Sequence, residues 1–212
     1  MTTTLKTNRI GSIGGESPSN GADKGISIQQ PYRVEVTIKG TAPILFHAWN
    51  VESVESKSKA KKGSEEKKTD NVESYVYRNE QGEICIPGEY LRGSIVNAAK
   101  FQQDPRSPRK SMADLAKAAI ISLTPLASLG VKDWDFMDKR RVQIQRNAIT
   151  RNRPAMAEGW KATFVLMVSL PEYISPEVLN STIQQAGKLI GLGDFRPTFG
   201  RFLVIQFTVL ED

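Results

Sequence analysis

The chain has 212 residues, of which 39% are hydrophobic and 25% are charged, so it is long enough for one domain with a packed core. It contains no run of 18 or more apolar residues and no apolar stretch of the secretory type near its start. These absences argue against transmembrane and exported proteins. The single cysteine, Cys85, has no partner for an internal disulfide, which favours a reducing, cytoplasmic setting.

The chain is basic, with 29 lysines and arginines against 23 aspartates and glutamates. A formal charge of +6 suits a polyanionic partner, because each phosphate that a cation neutralises releases condensed counterions. Many basic proteins bind no nucleic acid, so the positions of the charges carry more information than their sum.

Two segments are polar and lack apolar periodicity. Residues 1–30 are rich in glycine, serine, threonine and asparagine and are typical of a flexible tail. Residues 51–70 include the run KSKAKKGSEEKK and are expected to form a disordered insertion within a single domain of residues 31–212. The lysines of this insertion fit either a solvated loop or a loop that closes over bound nucleic acid.

The first half of the domain predicts one strand followed by two helices. Val34, Val36 and Ile38 alternate with polar residues, which is typical of a half-buried strand over residues 32–39. An apolar stripe predicts a helix over residues 89–101. A second helix is expected over residues 113–121, opened by a capping box of Ser111 and Asp114.

The second half predicts three more strands and a helix. Alternation predicts a strand within residues 141–150, and residues 161–170 are apolar on both faces, as in a central strand. Ser175 and Pro176 are typical of a helix start, and Gly191 is placed to end that helix. Residues 201–210 are expected to form the last strand. The order predicts an α+β, ferredoxin-like or RRM-like βαββαβ antiparallel sheet with one extra helix, an architecture found in many RNA-binding domains.

Two short motifs are candidates for ligand contacts. In Ile86-Pro87-Gly88, a strand turns directly into a helix whose free N–H groups favour an anion, with Arg92 one turn further on. The alternative is an ordinary turn with a surface arginine. The segment from Gly191 to Phe202 combines glycines, which allow close approach or positive φ, with arginines and phenylalanines suited to phosphates and bases. Its candidate contacts are Gly191, Gly193, Arg196, Phe199 and Arg201.

A third candidate is the basic segment between Asp138 and Arg153, which carries six cationic side chains against one acidic side chain. Polar residues that bond phosphates, sugars or base edges alternate with the cations. The predicted contacts are Lys139, Arg140, Arg141, Gln143, Gln145, Arg146, Asn147, Arg151 and Arg153. A solvated basic edge is the alternative. Trp160 nearby fits either base stacking or an anchor in the core.

The run from Gly82 to Ser94 resembles the entry into the first helix of type III CRISPR backbone subunits, which belong to the RAMP superfamily. The family has a pair of serines where Glu89 and Tyr90 stand here. The segment from Gly191 to Phe202 is similar to the glycine-rich loop of the same proteins. The resemblance covers about residues 32–210 and implies guide-RNA binding, with a projecting β-hairpin, or thumb, whose tip is expected at residues 147–158.

The same resemblance raises two weak catalytic candidates. Relatives that process CRISPR RNA often use a histidine as a general base, and His47 is the only histidine. Type III backbone subunits cut target RNA with an aspartate upstream of the turn, and Asp70 lies in that region. A structural role is the alternative for His47. No cysteine–histidine cluster has zinc-ligand spacing, so no metal or cofactor is expected.

Together these patterns predict a protein without enzymatic activity that binds single-stranded nucleic acid, most readily RNA, and assembles side by side along it. Its expected partners are the strand, copies of itself and other CRISPR effector subunits. One alternative is a stand-alone RAMP-like protein of a phage or mobile element that coats single-stranded DNA or RNA. A second alternative is a metal-independent ribonuclease that uses His47.

Overall fold

A computed structural model describes residues 30–48, 72–144 and 147–211. The predicted insertion and nearly all of the predicted tail lie outside the described residues, as do Asp70, Gln145 and Arg146. Within the described part the chain is α+β, as predicted, with three α-helices and several antiparallel sheets. None of these described helices is long and apolar enough to cross a membrane.

Twelve strands and three helices are found in the described residues. The strands are β1 (Tyr32–Gly40), β2 (Ile44–Leu45), β3 (Tyr77–Arg78), β4 (Ile84–Pro87), β5 (Gln103–Asp104), β6 (Ser107–Ser111), β7 (Ile120–Ser122), β8 (Leu126–Ser128), β9 (Phe136–Ile144), β10 (Asn147–Met156), β11 (Lys161–Val168) and β12 (Phe202–Leu210). The helices are α1 (Gly88–Ala98), α2 (Ala113–Ala119) and α3 (Pro176–Leu189).

The largest sheet has the strand order β12-β1-β11-β7, and all of its strand pairs are antiparallel. On β1, Val34, Val36 and Ile38 are fully buried, because alternate side chains of a strand point to the same face. Strand β11 also alternates between buried and more exposed residues along its length. Strand β11 is thus a central strand, between β1 and β7, as predicted, but only one of its two faces is fully buried. Helices α1 and α3 pack against each other, and α3 also packs against β12.

The predicted strand within residues 141–150 lies outside this sheet. Strands β9 and β10 form a long hairpin, and β10 pairs with the short β2 in a separate sheet. Instead, β7 pairs with β11 in the largest sheet, and its Ile120 is fully buried. The second predicted helix therefore ends at Ala119, because Ile120 continues in extended backbone. A β-hairpin was predicted here, but residues 147–156 form one of its strands, whereas its tip was expected at residues 147–158.

The ends of α3 agree with the sequence prediction, whereas the start of α2 does not. Ser175 caps α3, accepting a hydrogen bond from the Val178 N–H, and Pro176 is the first helical residue, as predicted. Gly191 follows α3 with a φ of 76°, the left-handed conformation that glycine tolerates. The capping box predicted for α2 was wrong, because Ser111 belongs to β6 and the N-cap is Met112.

Candidate nucleic-acid interface

The basic hairpin has two faces that differ in environment. In its register Arg141 lies opposite Thr150 and Lys139 lies opposite Asn152, so these residues share one face. We call this the outer face. Lys139, Arg141 and Gln143 are exposed there. The alternate residues, including Arg140 and Arg153, make up the opposite, inner face, which turns toward the segment Gly191–Gly200.

Arg153 on the inner face is buried, with only 3% of its surface exposed. Its Nε donates to Asp194 Oδ2 at 2.8 Å, and its guanidinium carbon lies 4.9 Å from the centre of the Tyr75 ring. A buried cation needs such a partner, because removal from water is costly for an unpaired charge. Arg153, predicted as a nucleic-acid contact, thus has internal partners instead of an exposed guanidinium.

Arg140, next along the inner face, holds the hairpin to two aromatic rings. Its guanidinium carbon lies 4.9 Å from the ring centre of Phe195 and 4.4 Å from that of Phe199. Both distances are within the range of cation–π attraction. The same guanidinium donates to both carboxylate oxygens of Asp138, which raises its pKa above the ordinary value. Phe199, predicted to meet a base, contacts an arginine of the same chain.

The glycines of the segment Gly191–Gly200 allow it to pack closely against β2. Gly193 has a φ of 77°, and a Cβ there would lie 2.6 Å from the Leu45 carbonyl oxygen. The next residue, Asp194, donates its N–H to that same oxygen at 2.9 Å. Gly191 is buried, and its carbonyl accepts a hydrogen bond from the Ser94 hydroxyl of α1 at 3.0 Å. These two glycines serve chain packing, and Gly193 also borders a cleft.

The first residue of α1 packs closely against the loop between β7 and β8. The Gly88 N–H donates to the Pro125 carbonyl at 3.0 Å, and a Cβ on Gly88 would meet the Thr124 carbonyl oxygen. Arg92 donates to the carbonyls of Ile120 and Lys117 at 2.7 and 2.6 Å. It thereby satisfies carbonyl groups at the end of α2. The Gly88 N–H and the Arg92 guanidinium, both predicted to meet an anion, therefore have internal hydrogen-bond partners.

A continuous cleft runs beside α1 in two compartments that share Asn97, Gly193, Asp194 and Arg196. The first has a volume of about 320 Å³ and is bordered by His47 and Tyr90. The second has a volume of about 610 Å³ and extends to the C-terminal ends of α1 and α3. Burial raises the pKa of the Tyr90 hydroxyl, so this group is neutral near pH 7.

His47 lies at the mouth of the first compartment, with 47% of its side chain exposed. Its Nδ1 is 3.6 Å from Asp194 Oδ2, and its ring meets Tyr75 edge-on at 5.2 Å between centres. Asp194 therefore touches both His47 and Arg153. Among the described residues, no group of three histidine, cysteine, aspartate or glutamate side chains is placed to hold a metal ion.

The remaining predicted contacts are scattered around these features. Arg196 borders both compartments of the cleft and is exposed, and Arg201 is exposed just before β12. Arg151 is partly buried opposite Arg140, and Asn147 is the first residue of β10. Trp160 is a core anchor, because it is buried and its Nε1 donates to the Ala42 carbonyl at 2.9 Å.

Sequence reasoning missed two groups of residues at this site. Asp194 is the only acidic residue in the segment Gly191–Phe202, and a lone carboxylate among arginines is a signal for an internal ion pair. Lys100 and Phe101 follow the last turn of α1 and border the second compartment of the cleft. Their role depends on the approach of α3 and the glycine-rich segment, which no local pattern predicts.

Comparisons with known proteins add a likeness in fold. No protein-family model matches the chain, and no curated protein matches it in sequence. A solved structure does match: a chain from the cryo-EM structure of the Type III-B Cmr-beta bound to cognate target RNA. The TM-score is 0.54 at 10% sequence identity, over 86% of this chain. The present chain covers 61% of that longer chain. At this identity the match shows a shared fold.

Proposed function

We propose that this protein binds single-stranded nucleic acid, with RNA as the leading partner, through the outer face of its β9–β10 hairpin and the cleft beside α1. The main support for the proposal is that the cations on the two faces of the hairpin lie in different environments. Arg140 and Arg153 are bonded internally, whereas Lys139 and Arg141 are exposed on the other face. Exposed cations that project from a fixed strand suit a phosphate backbone.

We place the chain among RAMP-type, CRISPR effector-like proteins. The likeness to a chain of the Cmr-beta structure supports this placement, together with the two sequence motifs. The strand order β12-β1-β11-β7 supports a ferredoxin-like core in which β7 is the second strand. In that arrangement the basic hairpin is an insertion between the second and third strands, β7 and β11.

Binding by this interface should depend little on base sequence. The outer face presents ammonium and guanidinium groups, which pair with any phosphate, and amide groups, which accept several partners. The proposed partners are a single strand, further copies of this protein side by side along it, and other subunits of a CRISPR-type complex. A stand-alone protein that coats single-stranded DNA or RNA would use the same surface.

Fluorescence anisotropy with a labelled, unstructured RNA of about 30 nucleotides, the matching DNA strand and the DNA duplex tests the proposal. We expect both single strands to bind more tightly than the duplex, and the affinity to fall as salt rises from about 50 to 200 mM. Light scattering on strands of about 20 and 60 nucleotides should show more subunits on the longer strand. No binding to any strand at low salt would contradict the proposal.

What copurifies with the protein separates the two kinds of binder. A guide-length RNA with other subunits indicates a CRISPR-type complex, and a mixture of strands without other subunits indicates a stand-alone coating protein. Independently, the anisotropy measurement shows whether the protein prefers RNA or DNA.

The contact between His47 and Asp194 favours a second candidate, a metal-independent ribonuclease. An imidazole close to a carboxylate at the edge of a cleft is one arrangement found in general acid–base catalysis. His47 is 3.6 Å from Asp194 and borders the cleft. Cleavage of labelled RNA in EDTA that is abolished in His47→Ala would establish this activity. If the RNA stays intact with both the unchanged protein and His47→Ala, the ribonuclease candidate is refuted and only the binding function remains.

A further inference from the structure

Phe101 is the most exposed of the large hydrophobic side chains in the described part of the chain, at 64% of its surface. It ends the 3₁₀ turn Ala99–Phe101 that follows α1. A phenylalanine left in water forgoes the stabilisation that burial of its ring would provide. An exposed ring alone does not identify a ligand, because single apolar side chains are common on protein surfaces, so the surroundings of Phe101 decide its role.

The surroundings of Phe101 form a groove that is apolar at its base and cationic at its rim. We call it the Phe101 groove; it is the second compartment of the cleft, about 610 Å³ in volume. Leu189, with 46% of its surface exposed, and Pro197 add apolar surface. Lys100 and Arg196 border the same groove and are exposed. The apolar surface and the two cations thus come from two distant stretches of the chain, within residues 97–101 and 189–197.

The charge of the groove is not cancelled by a nearby acid. Among the described residues that border the groove, Asp194 is the only one with a carboxylate, and its Oδ2 accepts the hydrogen bond from Arg153. Lys100 donates only to a neutral group within the described contacts, the side-chain oxygen of Asn97 at 2.7 Å. The groove therefore presents a net positive rim beside an exposed aromatic ring.

This combination matches an unpaired nucleotide. A flat base stacks on an aromatic ring whatever its identity, and the adjoining phosphate pairs with lysine or arginine. The volume lies within the range of sites that enclose small organic ligands. An apolar side chain from a neighbouring protein would also cover Phe101, but it would have no use for two cations at the rim. Charge complementarity therefore favours the nucleotide.

We propose that the Phe101 groove holds one unpaired nucleotide of the bound strand, with its base stacked on Phe101 and its phosphate paired with Lys100 and Arg196. The inference rests on the proposed function and deepens it, because it assigns a base-contacting site in addition to the phosphate-contacting hairpin. The groove shares Asn97 and Gly193 with the first compartment of the cleft, so a strand leaving the groove can continue toward His47.

The test compares three substitutions of one residue. Phe101→Tyr keeps the ring, Phe101→Leu keeps an apolar side chain without a π-face, and Phe101→Ala removes both. Binding is measured with single strands of about 20 nucleotides that carry 2-aminopurine, whose fluorescence falls when the base stacks. Because Phe101 is exposed, all three variants should melt at the temperature of the unchanged protein.

We expect Phe101→Ala and Phe101→Leu each to raise the Kd at least about 5-fold and to abolish the 2-aminopurine quenching, as stacking on aromatic rings predicts. Phe101→Tyr should retain both affinity and quenching. Leu126→Ala is the control, because this residue is also exposed, at 37%, but lies beside β4 at the opposite end of α1. It should leave the Kd and the quenching unchanged.

Two results would overturn the assignment. If Phe101→Ala and Phe101→Leu bind and quench as the unchanged protein does, the strand does not stack here, although the proposed function still stands. If Phe101→Leu behaves like Phe101→Tyr, and Phe101→Ala alters only the number of subunits per strand, the groove receives a protein side chain. Failure of the unchanged protein to bind any strand would refute the proposed function and this site together.

Discussion

Replacing Lys139 and Arg141 together by glutamine tests whether the outer face of the hairpin contacts phosphates. Both side chains are exposed, so the free energy of unfolding should change by no more than about 0.5 kcal/mol per site. Each cation that no longer neutralises a phosphate of a single strand lowers the steepness of log K against log salt by about 0.7. Two such cations give a decrease of about 1.4.

The size of this effect sets the precision that the assay needs. Between about 50 and 200 mM salt, a slope difference of 1.4 corresponds to a factor of about 7 in Kd. Over this range the affinity of the unchanged protein should therefore fall about 7-fold further than that of the double variant. Fluorescence anisotropy at four or more salt concentrations measures both slopes, and urea unfolding confirms that the fold is intact.

A charge-matched control separates phosphate binding from net charge. Replacing Arg109 and Lys110 of β6 by glutamine removes one arginine and one lysine, both exposed, and should change the slope by much less than about 1.4. Equal slopes for the unchanged protein and the Lys139/Arg141 variant would refute the assignment of the outer face. Equal decreases in the two double variants would show a dependence on total charge alone.

Two further predictions concern the attachment of the hairpin and the glycine-rich segment. Arg153→Ala should lower the free energy of unfolding by on the order of 3 kcal/mol in urea titrations, because it leaves Asp194 without its buried partner; a change below about 1 kcal/mol would contradict the internal role. Gly193→Ala should destabilise more than Gly82→Ala in thermal unfolding. Both glycines have a φ of 77°, but only at Gly193 does a Cβ meet neighbouring atoms. Equal destabilisation would show that the close approach to β2 contributes nothing.

Local patterns predicted the elements whose residues repeat with a clear period. Strand β1 and helix α3 were predicted nearly to the residue, because alternation and a serine–proline start are properties of contiguous residues. Strand β7 was missed, since it directly follows α2 and its first two residues, Ile120 and Ile121, were included in the predicted helix. What makes Ile120 a strand residue is its pairing with β11, more than 40 residues later.

The same limit applies to the candidate site. The sequence predicted the hairpin as basic, but cations alternate on both of its faces, so the pattern alone did not separate the inner face from the outer face. The separation comes from Asp194, Phe195 and Phe199, which lie more than 40 residues beyond the arginines that they contact. The Phe101 groove was missed for the same reason, because its walls come from two distant stretches of the chain, within residues 97–101 and 189–197.

Asp194 connects the glycine-rich segment, β2 and the basic hairpin through its own contacts. Its N–H holds the glycine-rich segment to Leu45 of β2, its carboxylate holds Arg153 of the hairpin, and the same oxygen lies near His47. A carboxylate would ordinarily repel a phosphate in the adjoining cleft, but pairing with a buried guanidinium offsets its charge. The inner face of the hairpin is therefore fixed by the protein itself. Cations carried on the outer face then lose less conformational entropy when they meet a strand, because the backbone that bears them is already ordered.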